Sequence, residues 1–148
     1  MRRILGIVLL TLSPVPALAA DSSGAVEAPL IRPAGDSDLG EFLWIYRLVV
    51  VFADTPADPR FKDQISNLAA EIDRLADRDV VVLTDADPAA KSPLRGKLRP
   101  RGFALVLVAK DGSVILRKPL PLTVREITRT IDKMPMRLRE VEERRGGG

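Results

Sequence analysis

Apolar and polar positions alternate between two kinds of segment over residues 39–148. Leu48-Val49-Val50-Val51-Phe52, Val80-Val81-Val82-Leu83 and Phe103 to Ala109 are continuous apolar runs, short and rich in β-branched residues. Such runs suit strands covered on both faces. They predict strands over Ile45 to Ala53, Asp79 to Thr84 and Phe103 to Ala109. Between the first two, Phe61, Ile65, Leu68, Ile72 and Leu75 recur at spacings of four, three, four and three, one face of an amphipathic helix. Asp58 at the cap and Pro59 in the first turn open that helix.

Short signals punctuate the remainder. Asp38 with Glu41 three places later caps a first short helix. Ser92-Pro93 opens another, reaching about Leu98. Lys110-Asp111-Gly112-Ser113 is a tight turn, because Asp-Gly tolerates positive φ, and Val114 to Arg117 returns antiparallel to the third strand. Thr123 and Glu126 form a capping box, with Leu122 and Ile127 as its hydrophobic staple. Val124, Ile127, Ile131 and Met134 mark the buried face of a last helix that yields at Pro135.

The start of the chain reads differently. Arg2 and Arg3 precede an apolar run, Ile4 to Leu12, and Ala17-Leu18-Ala19 follows two prolines. This is the pattern of a cleaved export signal over residues 1–19, too short for a stable membrane span. It places the mature protein in the periplasm or outside the cell. Residues 20–38, rich in Ala, Ser, Gly, Pro and Asp, read as a flexible leader. Cleavage removes two of the 23 Lys and Arg, against 20 Asp and Glu. The mature chain is then close to neutral, so charge gives no argument for nucleic acid or a membrane surface as partner.

The chain has no cysteine and no histidine. Thiol–disulfide exchange by its own residues is excluded, as are a Ser-His-Asp triad and histidine-bearing zinc sites. No Gly-rich phosphate loop or nucleophile elbow is present, so no cofactor is indicated.

The element order is βα, β, short α, ββ, α, with the first two strands parallel and the last two a hairpin. This is the layout of a thioredoxin-like α/β fold: three layers, a central mixed four-stranded sheet with helices on both faces. Another small three-layer α/β fold fits the same periodicities. The predicted domain spans residues 39–148 and ends in a charged tail that frays at the terminal glycines.

Several segments carry a family resemblance: Arg47 to Phe52, Gln64, Asp77-Arg78-Asp79-Val80, Lys110-Asp111-Gly112 and Ile131-Asp132-Lys133-Met134-Pro135-Met136-Arg137. Through them the stretch from Leu39 to Glu142 resembles domain-of-unknown-function family 4174. That family comprises thioredoxin-like domains of short exported bacterial proteins, similar to domains of animal matrix proteins with sushi modules. The resemblance implies a thioredoxin-like fold and carries over no catalytic residue. In redox-active thioredoxins a Cys-x-x-Cys pair opens the helix after the first core strand. Here Ala57-Asp58-Pro59-Arg60 stands at that place.

Two sets of residues are candidates for function. Asp54, Asp85 and Asp87 leave the carboxyl ends of the first two strands, where α/β sheets bind ligands, and carboxylates suit calcium or magnesium. They would serve a divalent-metal binder or a carboxylate-based enzyme. Met136, Arg137 and Arg139 form a candidate partner-binding patch, an adaptable methionine with a basic rim. Lys110 reads as a solvated edge residue, and Trp44 and Tyr46 as packing residues. The leading expectation is a non-enzymatic module that binds another protein or an envelope component.

Overall fold

The computed structural model describes residues 29–148. The expected export signal and residues 20–28 of the expected leader lie outside the described residues. Ten regular elements follow in order: β1 (Ile31–Pro33), β2 (Arg47–Phe52), α1 (Pro59–Ala70), α2 (Ile72–Ala76), β3 (Val80–Asp85), α3 (Pro93–Leu98), β4 (Ala104–Val108), β5 (Val114–Lys118), α4 (Val124–Asp132) and α5 (Pro135–Gly146). Short 3-10 helices at Leu39–Phe42 and Pro88–Ala90 join them.

The sheet order is β1-β3-β2-β4-β5. β2 runs parallel to β3, from Arg47 opposite Val80 to Phe52 opposite Asp85. It runs antiparallel to β4, and β4 pairs antiparallel with β5. The sheet therefore has five strands rather than four. The extra one, Ile31–Pro33, comes from the segment expected to be a leader and lies parallel along β3. Three residues lacking a hydrophobic period give no strand signal by themselves; β3's free edge supplies the pairing.

Side chains alternate across the sheet, which is why the strands read as unbroken apolar runs. Leu48, Val50 and Phe52 face one core with Phe42, Leu94 and Leu98, from the first 3-10 helix and α3. Val49 and Val51 face the other with Leu68, Leu75, Ile127 and Ile131, from α1, α2 and α4. The expected caps form: Asp38, Asp58, Ser92 and Thr123 each accept from a first-turn amide.

The long helix predicted from Phe61 to Leu75 is broken at Glu71, whose φ of −127° leaves the helical region. Ile72 and Leu75 stay on the core side, so the periodicity survives the break. Gln64 lies fully buried in α1. Its side-chain amide donates to the Leu122 carbonyl at 2.9 Å and its oxygen accepts the Leu122 amide at 2.7 Å. This pair ties the segment entering α4 to α1. Among the described residues no helix is long and apolar enough to cross a membrane.

Candidate functional site

The parallel register brings the ends of β2 and β3 together, so Asp54 and Asp85 meet at the carboxyl edge of the sheet. A cavity of about 670 Å³ opens there, lined by Asp54, Thr55, Phe61, Asp85, Asp87 and Ser92 among others. Asp85 is buried at its base, and its carboxylate is already engaged. Arg95 of α3 donates from Nη2 at 2.9 Å, Ser92 donates its hydroxyl, and the Asp87 amide donates at 3.2 Å. The same Arg95 also donates to the Ala53 carbonyl and lies over the Phe52 ring. Burial alone would raise the Asp85 carboxyl; the hydrogen bonds and charge of Arg95, with Ser92 and Asp87, outweigh it and hold it below the usual range.

Asp87 accepts from the Ala89 amide and caps the Pro88–Ala90 helix. The three aspartates are thus neighbours on one cavity, but Asp85 is an ion-pair partner and Asp87 a cap. Among the described residues no group of three or more acidic side chains is arranged to hold a metal ion.

In the Ala57-Asp58-Pro59-Arg60 segment, Asp58 caps α1 and Arg60 binds back to it at 2.8 Å. The Arg60 hydrogen bond lowers the Asp58 carboxyl. The Arg60 guanidinium also sits 5.5 Å from the centre of the Phe103 ring.

The opposite end of the sheet is electrostatically denser. Arg47, at the start of β2, is 1% exposed. Its guanidinium donates to the Arg78 carbonyl and to both oxygens of Glu140 on α5. Lys110, expected to be solvated, is buried instead and pairs with Asp79 and Glu140, each at 2.9 Å. Its ammonium sits between Asp79, just before β3, and Glu140 of α5. Arg137, expected on an exposed rim, is also buried, against Glu140 and Asp132. Arg78 pairs with Asp132, and Arg144 with Asp79. Burial pushes the Glu140 carboxyl up, but Arg47 and Lys110 outweigh it and hold it at about 2, down from 4.5. The Arg78 hydrogen bond likewise lowers Asp132.

Met136 and Arg139, the other two patch residues, line a second cavity of about 240 Å³ beside this network. Its walls also include Arg47, Lys110, Ile115 and Met134. Nearby, Leu43, Trp44, Ile45 and Tyr46 form a run of exposed apolar residues before β2. Trp44 was expected to pack, yet it is 66% exposed. Its φ is +66°, in the left-handed region, and its amide donates to the Lys110 carbonyl at 2.7 Å.

Sequence reasoning missed Arg47 and Glu140. An arginine heading an otherwise apolar run was the available signal for the first. Glu140 sits in a mixed-charge segment that carries no such mark.

Solved structures with a similar fold include the reduced 2-Cys peroxiredoxin of Plasmodium vivax, 16% identical with a TM-score of 0.55 over 72% of this chain and 85% of that one. Desulfothioredoxin from Desulfovibrio vulgaris Hildenborough is 20% identical, TM-score 0.52, over 70% and 97%. Plasmodium yoelii Prx1a is 20% identical, TM-score 0.51, over 71% and 80%. At such identities the likeness establishes the thioredoxin-like fold alone. No curated protein matches the chain. Residues 38–140 match a family model described as a domain of unknown function, DUF4174.

Proposed function

The chain belongs to the DUF4174 family of domains of unknown function, and from that membership and the geometry above we propose that it is an exported, non-redox binding module. Its partner in this reading is another protein of the cell envelope. The amino-terminal pattern of Arg2, Arg3, the apolar run and Ala17-Leu18-Ala19 supports export. The absence of cysteine supports a role without thiol chemistry.

Trp44 carries the binding reading. A bulky residue in the left-handed region costs about 1–3 kcal/mol, and such strain persists where a fold holds it for use. Here the strained residue is a solvent-facing indole, flanked by three further exposed apolar residues. Exposed aromatic clusters of this kind serve as interface anchors. The cations of the adjoining cavity favour an acidic partner surface.

Trp44 is the only tryptophan, so its emission reports on its surroundings. An envelope protein captured by the wild-type chain should shift that emission to the blue and be lost with Trp44→Asn. Capture that is equal for both forms, with emission unchanged, would sink the reading, as would failure to capture any envelope protein.

A further inference from the structure

We infer that the 240 Å³ cavity between β5 and the start of α5 is a carboxylate-binding site, suited to the carboxyl-terminal residue of a partner protein. Four independent features converge on it.

The first is the helix end. α5 runs for 12 residues and begins at Pro135, with Met134 at the cap making no side-chain bond. The first amide to find a helical acceptor is that of Leu138, on the Met134 carbonyl. Pro135 has no N–H, so the amides of Met136 and Arg137 lack helical partners, and the helix dipole favours an anion beside them.

The second is Arg47. It lines the cavity, is 1% exposed, and its Nε–H has no hydrogen-bond partner. A buried donor without an acceptor is costly, so an acceptor that reached it from the cavity would be stabilised.

The third is the charge balance. Arg47, Arg78, Lys110, Arg137 and Arg144 share only three carboxylates: Asp79, Asp132 and Glu140. Arg139 adds a further cation on the cavity wall. The remaining acid there, Asp111, is held ionised by the amide and hydroxyl of Ser113, so these six cations stand against four carboxylates. An incoming anion therefore meets a surplus of positive charge, partly shielded from water.

The fourth is the apolar part of the lining. Ile115, Met134, Pro135 and Met136 are apolar. A bare inorganic anion leaves that part unused. A terminal residue fills both halves, with its carboxylate toward the cations and its side chain against the methionines.

That the carboxylate belongs to a protein partner rests on the binding reading above; the site itself does not. The test uses the intact chain and small probes. Amide NMR titration with N-acetyl-leucine should give saturable shifts at Met136 and Arg137, weakened by added salt. Acetate should bind about tenfold less tightly, for want of the apolar contact. Arg139→Ala, at an exposed position, should weaken N-acetyl-leucine about threefold without unfolding the chain. Absence of saturable shifts at those amides would overturn the site. Inorganic phosphate binding as tightly as N-acetyl-leucine would overturn the carboxylate assignment. Probe binding together with failed Trp44-dependent capture would remove the partner and keep the site.

Discussion

Arg47 and Glu140, 93 residues apart, are joined by two hydrogen bonds of 3.0 and 3.2 Å. This fork ties the first core strand to the last helix. It makes α5 part of the folded unit, although no apolar residue of that helix is fully buried. Glu140→Ala should cost about 3 kcal/mol, since it leaves Arg47 and Lys110 buried without their shared acid. Urea unfolding measures this. The double change with Arg47→Met should recover part of the loss, because a fully apolar replacement removes the stranded charge.

Acid should destabilise the protein through the same residue. The Glu140 carboxyl titrates at about 2 in the folded state, from 4.5. A folded value below the unfolded one means that the contribution is full above pH 4.5 and is lost as the pH falls toward 2. The loss is of order 3 kcal/mol. Asp85 and Asp132 are lowered as well and act in the same direction. Unfolding midpoints measured across this range should fall, and Glu140→Gln should flatten the slope.

Arg95→Met should strand the buried Asp85 carboxylate and free the Ala53 carbonyl. We expect a loss of about 3 kcal/mol in urea unfolding. The Asp85 carboxyl should also titrate higher, visible by carboxyl NMR, because burial then acts unopposed.

Gln64→Leu should cost about 2–3 kcal/mol, since it leaves both the amide and the carbonyl of Leu122 without their partner. Hydrogen exchange should speed up at Leu122 more than at the β2 amides.

Trp44→Asn should leave stability unchanged or raise it by about 1 kcal/mol, because asparagine tolerates positive φ. A clear loss in thermal unfolding would show that Trp44 serves the fold instead of a partner.

The segments that carry the family resemblance have structural duties. Arg47, Arg78, Asp79, Lys110, Asp132 and Arg137 all enter one ion-pair network. Gln64 pins the start of α4. What looked in sequence like scattered motifs is one end of the fold held together. Lys110 was misread because a turn lysine is ordinarily solvated. Its acids, Asp79 and Glu140, come from distant parts of the chain.

The order of strands and helices, the two-sided core and the helix caps were written in the sequence. Hydrophobic periodicity and capping chemistry are local, so neighbouring residues suffice to express them. The absence of cysteine and histidine was likewise plain from composition. The fifth strand, the burial of Arg47, Lys110 and Arg137 and the exposure of Trp44 were decided by tertiary structure. A pairing edge, a charge partner or a covering helix is supplied by distant chain, and no local pattern encodes its arrival.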